Sequence, residues 1–298
     1  MVSKILEYVK HPTKVVVFLQ NRCNFKVLPD ALYLRICYKL IFHKKLDLDN
    51  PQTFNEKLQW LKLHDRKPEY TMLVDKYEVK KYVANIIGEA YIIPTLGVWD
   101  SFDEIDFDTL PNQFVLKCTH DSGGLVICRD KSKLDVAAAR KKIKKSLKHN
   151  YYFFGREWPY KDVKPRIIAE PFIGKGDQLP EDYKIFTFGS AIDSIMVCKG
   201  RDQENGPFFY YYDTSWNRLY YQRPGLEKSD TIQKPKNLDQ MLKIAEALGA
   251  GLKHVRVDLY NIDGKIYFGE LTFFDECGFD TERTEKIDLM LGGKIRLE

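Results

Sequence analysis

The segment QFVLKCTHDSGG combines a strand-like apolar run with a lysine, Lys117, and a turn that ends in two glycines. A strand lysine can place its ammonium group on one phosphate, while a glycine-containing loop lets backbone N–H groups approach others. The pattern favours a phosphate-binding lid, and the alternative is a β-hairpin with one solvated lysine. The candidate ligand-binding residues of this lid are Lys117, His120, Ser122, Gly123 and Gly124.

A second candidate is the segment VRVDLYNIDGKIYFGELTF, which predicts a β-hairpin with acidic residues in both strands. If its loop has three residues and ends at Gly264, Arg256 lies opposite Glu270 and Asp258 lies diagonally across. Arg256, Asp258, Glu270 and Thr272 then share one face. A two-residue Asp-Gly loop would instead put the acidic residues on opposite faces, because the register sets the face.

Two carboxylates on one face of a sheet are costly to bury unless a cation compensates them. Mg²⁺ prefers oxygen ligands of this kind where it also holds phosphates, so Asp258 and Glu270 are candidate Mg²⁺ ligands. Without the metal we expect the two carboxylates to repel each other, so that neutralising one would not lower stability. The alternative is a surface hairpin with a cross-strand ion pair.

The segment RIIAEPFIGKGDQLPEDYKIF predicts a strand that ends in a hinge with exposed backbone. Such a hinge can bind the edge of adenine, because Glu170 would accept from the exocyclic amine while Phe172 and Ile173 donate their N–H groups. Either Asp177 or Asp182 would then contact the ribose.

Lys184 lies two residues beyond Asp182 on the same strand face, where it would point toward a phosphate or an anionic substrate. The chain has no GxxxxGK[ST] loop and no GxGxxG that opens a helix. A Walker P-loop and a Rossmann fingerprint are therefore excluded.

The elements that must position these residues change in type along the chain. Residues 28–64 show helical periodicity, and Thr53 with Glu56 forms a predicted capping box. From residue 91 onward, ten short β-rich runs are interrupted by helical stretches, which predicts an α+β fold built on antiparallel sheet. The aromatic run at 208–222 could stack sugar rings or pack in the core.

Composition restricts the class of protein. The 298 residues can bury one large core or smaller subdomains, and a formal net charge of +5 fits an anionic substrate without indicating nucleic acid. Six scattered cysteines without a CxxC pair argue against a disulfide framework or a zinc site. No apolar stretch approaches the ~20 residues of a membrane span, so we expect a cytoplasmic protein.

The first segment, KILEYVKHPTKVVVFL, places lysines among apolar residues. It predicts an amphipathic helix that packs on the body of the protein. The alternative is an interfacial helix in peripheral contact with the inner face of the membrane.

Taken in order, DKYEVKKYV, FVLKCTHDSGG, AEPFI, DYKIF and RVDLY with YFGELTF resemble the nucleotide-site segments of the ATP-grasp superfamily. TFNEKLQWLKLHDR and DYKIFTF are similar to its TupA-like branch, which is associated with teichuronopeptide and capsular polysaccharide biosynthesis. The resemblance implies a nucleotide held between two antiparallel-sheet subdomains. The implied divisions are a helical N-terminal segment (1–65), the first part of the core (66–110), a lid (111–174) and a metal-binding C-terminal subdomain (175–298).

The resemblance also implies roles for single residues. The phosphate and metal site would comprise Lys76, Lys117, Lys184, Arg256, Asp258 and Glu270, with Arg256 near the transferred phosphate. The usual Glu-x-Asn pattern is Glu-Leu-Thr here, so Thr272 stands where an asparagine metal ligand is usual.

The activity that the resemblance implies is ATP- and Mg²⁺-dependent ligation. A carboxylate is phosphorylated to an acyl phosphate, and an amine then displaces the phosphate. The implied substrates are an amino acid or related amine and a uronic-acid-containing surface polysaccharide or its precursor. A glycosyltransferase is the alternative, although no Asp-x-Asp motif lies between a predicted strand and helix. A binding module without catalysis would follow if Asp258 and Glu270 failed to converge.

Overall fold

Four helices open the part of the chain that the structure describes. In the computed structural model, the described residues are 27–174, 176, 178–201 and 206–298. The helices are α1 (Asp30–Phe42), α2 (Phe54–His64), α3 (Glu69–Val74) and α4 (Glu78–Ile87). The predicted amphipathic segment, with its membrane-contact alternative, lies outside the described residues. Within the described ranges, no helix is long and apolar enough to cross a membrane.

The capping box predicted for α2 is confirmed. Thr53 Oγ1 accepts a hydrogen bond from Glu56 N at 3.2 Å, and Glu56 Oε2 accepts one from Thr53 N at 3.0 Å. These bonds satisfy N–H groups that have no partner inside the first turn. Within α2, Asn55 exchanges two hydrogen bonds with the backbone of Asp280, which ties the first helices to the C-terminal part of the chain.

The first sheet is antiparallel and contains β1 (Gly97–Trp99), β2 (Phe114–Cys118), β3 (Leu125–Cys128) and β4 (Ile167–Pro171). Their spatial order is β1-β4-β2-β3. Helix α5 (Val136–Leu147) packs on this sheet through Ala139 and Ile143, and α6 (Tyr152–Gly155) follows it. Strand β1 lies within residues 66–110 but pairs with β4, so the sheet extends across the division expected at residue 110.

The second sheet is also antiparallel. It contains β5 (Asp182–Phe188), β6 (Ala191–Lys199), β7 (Phe208–Tyr212), β8 (Arg218–Leu219), β9 (Val255–Ile262) and β10 (Lys265–Thr272). Their spatial order is β10-β9-β5-β6-β7-β8, and all ten predicted strands are therefore present. The remaining helices are α7 (Leu238–Gly249) and α8 (Glu285–Lys294).

One face of the second sheet is a hydrophobic core. Val255, Val257 and Leu259 of β9 are fully buried there, in the same cluster as α7 side chains. The alternate residues of β9 point to the opposite face, as the two-residue period of a strand requires. Tyr210 and Tyr212 of β7 are also buried in this core, which favours core packing for the aromatic run.

The hairpin of β9 and β10 matches neither of the two registers considered from the sequence. Its loop has two residues, Asp263 and Gly264, with φ of 49° and 89°. A bulge between Phe268 and Glu270 then shifts the pairing by one residue, so that Glu270 lies opposite Asp258. The three-residue loop is therefore wrong. The shared face is correct nevertheless, because the bulge offsets the shorter loop.

Candidate active site

A cavity of about 220 Å³, here called the inter-sheet pocket, lies between the two sheets. The four-stranded sheet contributes side chains from β2 and β4, and the six-stranded sheet contributes side chains from β5, β9 and β10. Most of the predicted site converges here. The predicted residues that line this pocket are Lys76, Lys117, Ser122, Gly124, Glu170, Asp182, Lys184, Asp258 and Glu270.

Lys117 pairs with a buried carboxylate. Its Nζ lies 2.6 Å from Glu170 Oε2, and Lys80 Nζ lies 2.6 Å from Glu170 Oε1. Burial would raise the pKa of Glu170, but the charges of Lys117 and Lys80 hold it below its usual range. The solvated-lysine alternative is therefore wrong. Sequence analysis did not identify Lys80, although it lies four residues after Lys76 in the quoted segment DKYEVKKYV.

The turn after β2 is held together by Asp121. Gly124 N donates to Asp121 Oδ1 at 3.0 Å, so this N–H is engaged within the turn. A Cβ at Gly124 would lie 2.5 Å from Cys118 Sγ, and glycine here therefore allows close packing of the turn. Ser122 and Gly123 are the exposed residues between these two anchors.

Lys76 and His120, both predicted to contact phosphate, lie in different surroundings. Lys76 Nζ donates to Asp121 O at 2.6 Å and lies 3.7 Å from Glu270 Oε2, which places this ammonium group between the turn and β10. His120 is buried, and its Nε2 lies 3.1 Å from His149 O just beyond α5. This contact gives His120 a structural role and corrects its assignment to the phosphate site.

The predicted adenine hinge has fewer free groups than expected. Each carboxylate oxygen of Glu170 already accepts from a lysine, so an exocyclic amine of adenine would have to share these acceptors. Phe172 N donates to Gln113 O at 3.4 Å within the sheet. Neither of these contacts involves the backbone of Ile173, the other residue of the predicted hinge.

The two ribose candidates differ in what can be said of them. Asp177 lies outside the described residues. Asp182 is buried at the start of β5, where its Oδ2 lies 2.8 Å from Lys184 Nζ and 3.0 Å from an Arg201 guanidinium nitrogen. Arg201 and Tyr260 also line the inter-sheet pocket. Neither was among the predicted site residues, because Arg201 lies outside the quoted motifs and Tyr260, although part of RVDLY, was not assigned a role.

Arg256 is the centre of a buried ionic network on β9 and β10. Its Nε lies 2.7 Å from Asp258 Oδ1, and its Nη2 lies 2.8 Å from Asp258 Oδ2. The same Nη2 donates to Thr272 Oγ1 at 3.2 Å, and Nη1 contacts Asp275. Lys184 also contacts Asp258. The predicted cations and carboxylates thus compensate each other directly.

Glu270 is surrounded by cations. Its Oε2 lies 3.7 Å from Lys76 Nζ, and its Oε1 lies 4.0 Å from Arg256 Nη2. Burial would raise the pKa of Glu270, but the charges of Lys76, Lys184 and Arg256 lower it to about 2. The expected destabilising repulsion between Asp258 and Glu270 is therefore wrong, because cations separate and neutralise the two groups.

The oxygen donors of the hairpin fit Mg²⁺ chemically. Within the described part of the chain, no group of three or more His, Cys, Asp or Glu side chains is arranged so that it could hold a metal ion. Asp258 and Glu270 nevertheless lie opposite each other, and Thr272 Oγ1 is 3.5 Å from Glu270 Oε1. Two carboxylates and a hydroxyl are hard donors that suit a Mg²⁺ ion sharing phosphate oxygens.

Comparison with known proteins gives one family. The sequence profile described as TupA-like ATPgrasp matches residues 56–296. No curated protein sequence matches the chain significantly.

Several solved structures are similar to this one. A D-alanine-D-alanine ligase from Helicobacter pylori has 15% identity and a TM-score of 0.44, over 83% of this chain and 70% of that chain. An L-amino acid ligase from Bacillus licheniformis has 16% identity and a TM-score of 0.44, over 75% and 49%. The ATP-grasp ligase PsnB, complexed with minimal precursor, Mg and ADP, has 10% identity and a TM-score of 0.38, over 74% and 57%. This chain thus spans between 49% and 70% of their lengths.

Neutralising Asp258 should destabilise the protein. Asp258→Asn leaves Arg256 and Lys184 buried without their shared carboxylate, and we expect the free energy of unfolding to fall by about 3–5 kcal/mol. Asp103→Asn is the matched control, because Asp103 pairs with two cations at the exposed surface and should contribute little. Urea denaturation measures both variants. Unchanged stability of Asp258→Asn would contradict the network.

The network should also weaken in acid. Burial would raise the pKa of Asp275, but Arg256 and Arg283 lower it to about 2, as the surrounding cations do for Glu270. Both folded-state values lie below the unfolded values of about 4, so these groups stabilise the fold above about pH 4. That contribution is lost as the pH falls toward 2. We expect Glu270→Gln to reduce the slope of unfolding free energy against pH in this range, and an unchanged slope would contradict the assignment.

Proposed function

Since the chain belongs to the TupA-like ATP-grasp family, we propose that it is an ATP-dependent carboxylate-amine ligase acting through an acyl phosphate. The observation that supports this proposal is the inter-sheet pocket, where Lys76, Lys117 and Lys184 lie around the opposed carboxylates of β9 and β10. Arg256 binds one of these carboxylates, Asp258, from beside the pocket. Such an arrangement offers cations to a triphosphate and oxygen donors to its metal.

The proposed substrates follow from the sequence resemblance. They are a uronic-acid carboxylate, free or within a surface polysaccharide precursor, and an amino acid or related amine. The protein would act in the cytoplasm or at the inner face of the membrane, where ATP is available.

In this proposal Asp258, Glu270 and Thr272 hold Mg²⁺. When bound, the ion neutralises phosphate charge as it develops in phosphoryl transfer. Asp258 is now engaged by Arg256 and Lys184, so these two cations must exchange partners when nucleotide binds. The phosphate oxygens would become their new partners, which keeps every buried charge compensated.

The remaining contacts to nucleotide are assigned by position. Lys117 and Lys76 would bind phosphate oxygens from opposite sides of the inter-sheet pocket, and the backbone near Ile173 would bind adenine. Asp182, at the start of β5, would accept a hydrogen bond from the ribose. Ser122 and Gly123, exposed at the tip of the turn, would cover the phosphates and exclude water.

The proposed reaction consists of two successive displacements. The substrate carboxylate attacks the γ-phosphorus of ATP, the bond to the bridging oxygen breaks, and ADP leaves with that electron pair. A neutral amine then attacks the acyl carbon, and the carbon–oxygen bond to phosphate breaks. One of the two amine protons stays on the amide nitrogen, and the other leaves with inorganic phosphate. Arg256 lies beside Glu270 and would stabilise the negative charge on the transferred phosphoryl group.

Hydroxylamine trapping tests the first displacement without knowledge of the amine. With Mg²⁺, ATP and D-glucuronate or D-galacturonate, we expect a hydroxamate and an equal amount of ADP. Mg²⁺ and ATP should also raise the melting temperature, because a ligand of the folded state stabilises it. Stabilisation by UDP-sugars alone, without hydroxamate, would support the glycosyltransferase instead.

Lys117→Met should lower hydroxamate formation by about 100-fold, the scale expected when one preorganised charge is lost. Lys133→Met is the matched control, because the Lys133 side chain is 83% exposed and pairs only weakly at the surface. Equal activity of the two variants would remove Lys117 from the phosphate site.

A further inference from the structure

A second cavity, here called the side pocket, adjoins the inter-sheet pocket. Its volume is about 420 Å³, which suits a ligand of amino-acid or monosaccharide size. Lys76, Ser122 and Glu270 line both cavities, and Arg256 also lines the side pocket. A ligand in the side pocket would therefore reach the groups proposed to surround the transferred phosphoryl group.

The wall of the side pocket contains a buried carboxyl group that forms no ion pair with any of the residues that the structure describes. Glu157 is 4% exposed, and among the described residues its hydrogen-bond donor is the thiol of Cys277, at 2.9 Å. Lys62 lies nearby but uses its three donors on Gln59 Oε1, Gly155 O and Cys277 O. A buried carboxylate is costly unless it is paired, so Glu157 can accept a cation from the pocket.

A second carboxyl group, Glu276, is presented to the side pocket by an unusual turn. Glu276, Cys277 and Gly278 all have left-handed backbone, with φ of 46°, 54° and 64°. Such conformations cost energy in residues other than glycine and persist only where surrounding contacts enforce them. Gln59 Nε2 donates to Cys277 O at 3.1 Å and to Gly278 O at 2.6 Å, and Lys62 also binds Cys277 O. Helix α2 thus holds the turn in place.

Aromatic rings complete the side pocket. Tyr151 and Tyr160 pack edge to face with ring centroids 4.9 Å apart, and Phe154, Phe274 and Phe279 line the same cavity. Ring faces attract cations. The lining is therefore cationic at the junction with the inter-sheet pocket, through Lys76 and Arg256, and acidic and aromatic elsewhere.

We propose that the side pocket binds the amine substrate as its ammonium ion, with Glu157 and Glu276 as carboxylate partners, and that Glu276 accepts the proton that frees the nucleophile. This inference rests on the proposed ligase function. One proton moves from the ammonium nitrogen to a Glu276 oxygen, and the neutral amine then attacks the acyl carbon. Carbon–nitrogen bond formation and phosphate departure follow as written above.

The electrostatics of Glu276 agree with this role. Glu276 is exposed to solvent at the side pocket, but its partial burial, followed by the charges of Asp275 and Asp280, raises its pKa to about 7, against the opposing charges of Arg256 and Arg283. A base with a pKa near the working pH exchanges protons efficiently. Burial also raises the pKa of Glu157, and an ammonium ligand would relieve that cost by restoring its charge partner.

Binding of charge-matched pairs tests the side pocket. Ethanolamine, D-glucosamine and L-alaninamide are cations, and ethylene glycol, D-glucose and lactamide are uncharged counterparts of similar shape. With the full chain, Mg²⁺ and a non-hydrolysable ATP analogue, we expect calorimetry to detect at least one cation and to show weaker binding of its counterpart. Glu157→Gln and Glu276→Gln should weaken this binding by at least about 10-fold, since a charge-assisted partner is lost. Glu246→Gln, exposed on α7, is the control and should bind like the unchanged protein.

Three outcomes would overturn the proposal. In the first, no cation binds. In the second, the uncharged counterparts bind as tightly as the cations, and in the third, Glu157→Gln and Glu276→Gln keep the melting temperature of the unchanged protein and bind the cation with undiminished affinity. The hydroxylamine assay separates this inference from the function on which it rests. Absence of hydroxamate with intact, Glu157-dependent amine binding would reject the ligase reaction. If hydroxamate forms but neither Glu157→Gln nor Glu276→Gln changes the affinity for the amine, the proposed amine site in the side pocket is rejected and the ligase reaction is not.

Discussion

The buried contact of Arg256 and Lys184 with Asp258 is the interaction on which the rest of the site depends. Charges on the inner face of a sheet are tolerated only when each has a close partner of opposite sign. Here strands β5 and β9 supply both signs at adjacent positions, so the charged face can coexist with the hydrophobic core on the other face. The same balance would permit an exchange, in which phosphate takes the cations and a metal takes the carboxylates.

Features that depend on neighbouring residues could be predicted from the sequence. The α2 capping box, helices α1 and α2 and the ten strands follow from local spacing, and they are present. The family resemblance implied the convergence of Lys117, Asp258 and Glu270, whereas strand alternation with a two-residue loop would have put the two carboxylates on opposite faces.

Features that depend on distant contacts could not be predicted in this way. The bulge beside Gly269 changes the hairpin pairing, yet a glycine in a strand does not by itself define a register. Arg201 reaches the pocket from a segment outside the quoted motifs, and Lys80 lies within one of them, but neither sequence context shows that it pairs with a distant carboxylate. His120 was misassigned because its partners lie more than 20 residues away, at the end of α5.

Helix α2 contributes both to the family resemblance and to the shape of the side pocket. Its sequence, within TFNEKLQWLKLHDR, carried part of the family resemblance, and its buried Gln59 and Lys62 hold the backbone of Cys277 more than 200 residues away. The Lys62 ammonium group donates to backbone carbonyls and to Gln59 instead of a carboxylate, so within the described part of the chain Glu157 has no direct ion pair. The helix thereby shapes a cavity beside the charged pocket and does not contribute a group to the phosphate site.

The most direct test of the central claim is a crystal structure with Mg²⁺ and a non-hydrolysable ATP analogue. We expect Asp258 and Glu270 to bind the metal, and Lys184 and Arg256 to contact phosphate oxygens instead of Asp258. A nucleotide bound between the sheets while Asp258 keeps its contacts with both cations, and the metal is held elsewhere, would contradict this expectation.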